Sequence, residues 1–281
     1  MSEYLLSTSG LTKQFGHHKA VNNVDLHVKK GAIYGFIGRN GAGKTTFLKM
    51  ISGLSKPTDG EIQMFGYRNE ELKNVRSRIS GLIEAPGIYG NMSAYHNLAI
   101  KCRLFGINDS KYIENILKIV GLSEVGKKKT KHFSLGMKQR LGIGLALVGE
   151  PDLLVLDEPI NGLDPQGIAE IRDMLLRLKE EQNMTIIISS HILEELSKIA
   201  THYGIIHNGS LIQELTREEL MTRCSERMEL TLDEPKAALP ILDQMGFTNY
   251  QVVNQSTIHI YERLNESAAV NMELYKYRSS G

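Results

Sequence analysis

The sequence predicts an α/β core with a mainly parallel sheet, interrupted by a helical insertion and followed by a small α+β module. Three observations predict it. Short β-rich runs at Ile33–Ile37, 153–156 and 185–189 alternate with helix-period segments, the pattern of strands joined by crossover helices. A glycine-rich turn, Gly38-Arg39-Asn40-Gly41-Ala42-Gly43-Lys44-Thr45, separates the first run from a helix-forming stretch at 46–51. The charge balance also changes: residues 1–209 carry a net +5 and residues 210–281 a net −4, so a domain boundary is expected near Gly209.

Taken in order, residues 61–65 read as a further early strand, and the alternation stops between Pro86 and Glu150. There, Ala94–Leu104 and 112–120 read as helices, which defines an insertion at about residues 87–150. In the tail, strands are expected at 228–232, 250–253 and 257–261, with helices after Pro235 and after Asn265. That order is βαββα. Such a module would gain from one more strand, and the sequence stops at Ser279-Ser280-Gly281.

Composition removes several function classes. Among 281 residues, 33 Lys+Arg face 32 Asp+Glu, a formal charge of +1, so no nucleic-acid partner is expected. A hydrophobic share of 41% and a charged share of 23% exclude wholesale disorder and fibrous repeats. No apolar run reaches the roughly 18 residues of a membrane span, since 141–156 is cut by Glu150, Pro151 and Asp152. Any membrane role therefore needs a partner chain. The N-terminal MSEYLLSTSG lacks the basic-then-apolar pattern of a secretory signal. Cys102 and Cys224 are too few and too far apart for a disulfide framework or a metal site, which fits a reducing cytosol.

The glycine-rich turn matches G-x-x-x-x-G-K-[ST] between a strand and a helix, the context that motif requires. Phosphate oxygens must approach the main chain closely. Glycines remove the Cβ obstacle, while successive N–H groups and a helix N-terminus supply positive potential. Lys44 is expected to reach the β and γ phosphates, and the Thr45 hydroxyl to ligate Mg²⁺; residues 38–46, Thr46 included, form the expected nucleotide cradle. A second motif, Leu153-Leu154-Val155-Leu156-Asp157-Glu158, is an apolar strand ending in two carboxylates. Neighbouring strand positions face opposite ways, so the two acids take different jobs. Asp157 is assigned to Mg²⁺, and Glu158 to the water that attacks the γ phosphorus as general base.

Three further pieces appear in order around the acidic strand: Ser134-Leu135-Gly136-Met137-Lys138-Gln139 before it, Gly162-Leu163-Asp164 after it, and His191 following the strand at 185–189. With the phosphate loop they resemble the ATP-binding-cassette family over about residues 3–212. The signature departs from the LSGGQ pattern, with Phe133 before Ser134 and Leu135 where the first glycine is usual. Ser134 and Gly136 are retained, and a hydroxyl beside a glycine backbone at a helix start can make a second anion site.

The resemblance implies a RecA-like core with an N-terminal β subdomain and a helical insertion, and two cassettes closing head to tail over two ATP molecules. It implies that Ser134 and Gly136 serve the ATP held by the other cassette and that Asp164 connects the two sites. His191 is implied as the γ-phosphate sensor that keeps Glu158 in register, and Phe15 as the aromatic under adenine. Glu84 stands where the family normally has glutamine, with a metal role beside Thr45 and Asp157. That glutamate and the acidic tail resemble the ATPase subunits of bacitracin and lantibiotic exporters. The expected protein is thus an ATPase motor that uses ATP and Mg²⁺. It would work as a dimer of cassettes, with itself or a related chain, held on the inner face of the cell membrane by separate transmembrane permease subunits. The competing reading is a soluble cassette ATPase acting in translation or DNA repair, although such proteins usually carry two cassettes or a long coiled-coil insertion. No N-K-x-D sequence for reading guanine occurs, which speaks against a GTPase.

Overall fold

Hydrophobic runs buried on both faces are the mark of central parallel strands, and the computed structural model shows them where the sequence concentrates Ile, Leu and Val. It describes residues 4–224 and 227–279; Ser280, Gly281 and the side chains of Cys224 and of residues 276–279 lie outside that description. The chain divides into two compact units, Met1–Arg217 and Glu218–Gly281.

In the first unit, β1 (Tyr4–Phe15) and β2 (His18–Lys29) fold back as a hairpin, with Phe15 opposite His18. Next, β3 (Ile33–Ile37) runs into the glycine-rich turn and α1 (Lys44–Ile51). The chain returns to the hairpin through β4 (Asp59–Met64) and β5 (Tyr67–Arg68), making an antiparallel sheet of order β2-β1-β4-β5. Leu6, Leu26, Val28, Ile62 and Met64 from this sheet join Phe36, Phe47 and Leu48 in one core cluster.

After β6 (Ile79–Leu82) comes the helical segment of α2 (Ala94–Leu104), α3 (Ser110–Ile119) and α4 (Leu135–Leu147). Each helix starts at a capping side chain. Ser93 accepts from the His96 N–H, Asp109 from the Lys111 N–H and Ser134 from the Met137 N–H, which supplies partners that a helix N-terminus otherwise lacks. The core then resumes with β7 (Leu153–Asp157), α5 (Pro165–Gln182), β8 (Thr185–Ser190), α6 (Leu193–Ser197), β9 (His202–His207) and β10 (Ser210–Thr216). Among the described residues the second sheet has the order β10-β9-β3-β8-β7-β6. Strands β9, β3, β8, β7 and β6 are parallel, and β10 is antiparallel to β9. Every residue of β7 and β8 is buried.

The unit boundary falls at Arg217 rather than at the charge change near Gly209, because β10 pairs with β9. One acid counted with the tail, Glu214, belongs to the first unit. It accepts hydrogen bonds from the His27 N–H at 2.9 Å and the Tyr34 hydroxyl at 2.7 Å, and lies 2.8 Å from His27 Nδ1. Burial, and then the charge of Glu214, push the Tyr34 phenol well above its usual range.

Past α7 (Arg217–Cys224), the second unit runs β11 (Met228–Thr231), α8 (Pro235–Gln244), β12 (Tyr250–Val252), β13 (Thr257–Ile260) and α9 (Ser267–Ser279). Its sheet is antiparallel with order β11-β13-β12. Met228, Leu230, Ile258 and Ile260 meet Leu242, Phe247 and Val270 in a separate core.

Candidate functional site

The glycine-rich turn crosses the carboxyl end of β3. Gly41 and Gly43 adopt φ of 80° and 105°, a region that L side chains rarely enter. A Cβ on Gly43 would sit 2.4 Å from the Ala20 carbonyl oxygen, so the turn fits against β2 only with glycine there. Gly43 also caps α1 without a side-chain bond, and no acidic residue occupies the helix's first turn. Backbone N–H groups at a positive helix end are therefore left for an anion. Arg39, Asn40 and Gly41 form the exposed crest, while Ala42 and Lys44 are buried. Lys44, only 5% exposed, donates to the carbonyls of Gly38 at 2.6 Å and Arg39 at 3.2 Å. Its Nζ lies 3.0 Å from Glu158 Oε1 as an ion pair, without the alignment of a hydrogen bond.

Strand order decides what surrounds the two acids. β8 lies between β3 and β7, and Ser189 is paired in register with Asp157. Asp157, 7% exposed, accepts from Thr45 Oγ1 at 2.7 Å and from Ser189 Oγ at 2.6 Å. A buried carboxylate left without such bonds would be costly. Ser189 Oγ also accepts from the Glu158 N–H at 2.9 Å, at the point where Glu158 leaves the strand with φ of 49°. That turn sends the Glu158 carboxylate between Lys44 and His191, whose Nδ1 is 2.8 Å from Glu158 Oε2. Lys44, Thr45, Asp157, Glu158 and His191 thus form one bonded cluster. Ser189 completes it, although the sequence pattern assigns it no role. Its one signal is a pair of hydroxyl residues, Ser189-Ser190, closing an apolar strand just before His191.

Thr45 and Asp157 also present two hard oxygen donors side by side. Such a set suits Mg²⁺, which takes one or two protein oxygens beside substrate phosphates and water. Glu84 is not gathered with them. Its Oε1 lies 2.5 Å from Lys49 Nζ and its side chain is 64% exposed, so the expected metal trio is here a pair plus a carboxylate held by a lysine.

Phe15 is 56% exposed at the hairpin tip, with Lys13 Nζ 5.1 Å from its ring centroid. It does not face the core. The hairpin is tied to the phosphate loop, since Gly209 donates to the Ala42 carbonyl at 2.9 Å and accepts from the Asn22 N–H at 2.8 Å. The remaining predicted residues form a second group. Ser134 caps α4, and Asp164 caps α5 by accepting from the Gly167 N–H at 3.2 Å. A Cβ on Gly136 would lie 3.8 Å from Leu163 Cδ2, and one on Gly162 would lie 3.4 Å from Leu135 Cδ2, so the two helix starts adjoin. Arg140 in α4 and Glu170 in α5 add an ion pair at 3.3 Å.

A phosphate loop after β3 and an acidic end on β7, with β8 between them carrying Ser189 and leading to His191, define a P-loop ATPase. A family model described as ABC transporter matches residues 21–161. The bacitracin transport ATP-binding protein BcrA of Bacillus licheniformis is 43% identical over 271 residues, covering 95% of this chain and 88% of its own. The lantibiotic transport ATP-binding protein SrtF of Streptococcus pyogenes is 43% identical over 210 residues, covering 75% and 90%. A dimeric post-hydrolysis structure of the ATP-binding cassette MJ0796, bound to ADP and Pi, shares the fold. Its TM-score is 0.67 at 24% identity, over 75% of this chain and 98% of that one. The chain belongs to the ABC transporter family, as an ATP-binding and ATP-hydrolysing subunit. Among the described residues, no helix is long and apolar enough to cross a membrane.

Proposed function

We propose that this ATPase drives a membrane exporter that gives resistance to peptide antibiotics of the bacitracin or lantibiotic type. The observation carrying this reading is the extent of the likeness to BcrA. An alignment that covers 95% of this chain extends into the acidic C-terminal unit, well beyond the residues 21–161 that the family model matches. The soluble alternative in translation or DNA repair has no such observation in its favour.

The geometry supports a role for each residue. The loop amides of residues 38–46 and Lys44 bind the β and γ phosphates, and Phe15 offers a stacking face for adenine. Thr45 and Asp157 would hold Mg²⁺, which when bound offsets phosphate charge. Glu158 accepts a proton of the water whose oxygen bonds to the γ phosphorus, while the bond from that phosphorus to the β–γ bridging oxygen breaks, its electrons leaving with ADP and the γ group leaving as inorganic phosphate. His191 orients that carboxylate through Oε2, leaving Oε1 for the water once the γ phosphate takes Lys44. Ser134, Gly136 and Asp164 act on the ATP of a second cassette, either another copy or a related chain.

Separate transmembrane subunits hold the pair on the inner face of the membrane. A groove of about 280 Å³ bordered by Leu82, Pro86, Tyr89, Lys101, Leu104 and Phe105 is apolar enough to receive them. Burial lowers the Lys101 ammonium below its usual range, so a carboxylate on the incoming segment would complement it.

The test is bacitracin and lantibiotic susceptibility in cells that carry the permease chains with wild-type protein, Glu158→Gln or none. Wild type alone should raise the inhibitory concentration of one antibiotic class. A chain that co-purifies with permeases yet changes neither susceptibility would overturn the export reading while leaving the ATPase intact.

A further inference from the structure

Glu84 and Glu158 are counterparts on neighbouring strands. Leu82 of β6 pairs in register with Leu156 of β7, and each glutamate follows two residues later at the same edge of the sheet. Both leave their strands in the left-handed region, at φ of 65° and 49°, where residues other than glycine are uncommon. Each carboxylate faces a lysine of α1: Glu158 lies 3.0 Å from Lys44, and Glu84 lies 2.5 Å from Lys49. Lys49 stands four residues after Thr45, hence on the same helix face and about 6 Å further along the axis. Thr45 in turn is bonded to Asp157. The helix that begins at the phosphate loop therefore holds the ends of β6 and β7 through successive side chains.

We propose that Lys49 is a positioning residue of the ATP site, which holds Glu84 and neutralises its charge beside the triphosphate. The inference rests on the reading that residues 38–46 bind ATP. A free carboxylate at this sheet edge would repel the phosphates, most strongly when no metal screens them. Exposed ion pairs contribute little to folding, and Lys49 and Glu84 are 34% and 64% exposed. The pair's effect therefore lies in where the carboxylate stands.

The test is ATP affinity, measured by calorimetry in EDTA and across a Mg²⁺ titration, for wild type, Lys49→Met, Lys49→Arg, Glu84→Gln and the double variant Lys49→Met/Glu84→Gln. Thermal melts report folding, and Lys49→Gln replaces Lys49→Met should that variant not fold. In EDTA, Lys49→Met should weaken ATP binding about 3- to 10-fold, the size expected for one unmasked charge near the phosphates. Saturating Mg²⁺ should recover most of that loss, and Lys49→Arg should behave as wild type. In the Glu84→Gln background, the same lysine change should cost less than about 2-fold, because no carboxylate remains to be masked.

Equal losses in both backgrounds would overturn the proposal, showing that Lys49 attracts the phosphates directly. No loss in either background would overturn it as well, leaving an ordinary surface pair. Lys44→Ala is the control for the underlying reading. Unchanged ATP binding in that variant would place the nucleotide elsewhere, a failure distinct from that of Lys49.

Discussion

The phosphate-loop region and the adjoining starts of α4 and α5 both carry predicted nucleotide-binding residues, yet they are built in opposite ways. In the first, functional groups bond to one another: Thr45 and Ser189 to Asp157, and Lys44 and His191 to Glu158. In the second, Ser134 and Asp164 bond the N–H groups of their own helices, and both stand exposed, as does Leu135 beside them at 49%. On the function proposed above, one region is a preorganised reaction centre, and the other is a pair of helix ends that would meet nucleotide only when a second cassette brings it.

This contrast is sharpened by removing chemistry from the first region while leaving its shape. Glu158→Gln should reduce hydrolysis by about 10²- to 10⁴-fold, the usual share of a general base, with ATP affinity retained. The variant should accumulate as an ATP-dependent dimer in size-exclusion chromatography. A protein that stays monomeric at micromolar concentration with saturating ATP would break the head-to-tail arrangement.

Lys44→Ala should weaken ATP binding about 30- to several-thousand-fold, as expected when one member of a buried charge pair is lost. Calorimetry on the isolated protein measures it. Ser189→Ala ranks next, because it strips Asp157 Oδ1 of a donor and the Glu158 N–H of an acceptor. It should lower stability by about 1–3 kcal/mol, read from chemical denaturation, and slow turnover with it.

The smallest effects belong to the second region. Ser134→Ala or Asp164→Ala should cost about 0.5–2 kcal/mol of stability through a lost helix cap. ATP affinity of the isolated chain should stay at wild-type level, while turnover of the dimer falls. If either variant weakens ATP binding by the monomer, the division between the two regions is wrong.

Much of this division is legible in the amino-acid sequence. The phosphate loop is local, since glycines, Lys44 and Thr45 act through a turn of consecutive residues. The acidic end of β7 and the caps at Ser134 and Asp164 are local as well. The expected helix Ala94–Leu104 is α2 with the same bounds, because its Ser93 cap and helical period lie within one segment. Less legible are the acids at strand ends. Glu84 and Glu158 both follow apolar strands, yet one meets Lys49 and the other Lys44 and His191. Those partners are brought by other elements, at separations that no local pattern encodes.

By itself, then, the sequence determined the α/β character, the phosphate loop, the acidic strand and the βαββα order of the tail, because each follows from short-range periodicity or backbone constraint. Tertiary structure alone decided that β8 separates β3 from β7, so that Ser189 bridges Asp157 and Glu158. It also decided that β10 pairs with β9 and carries Glu214 to Tyr34 and His27, and that Glu84 meets Lys49. Strand order and side-chain partnership depend on which distant surfaces bury best against each other, a competition among all the elements at once.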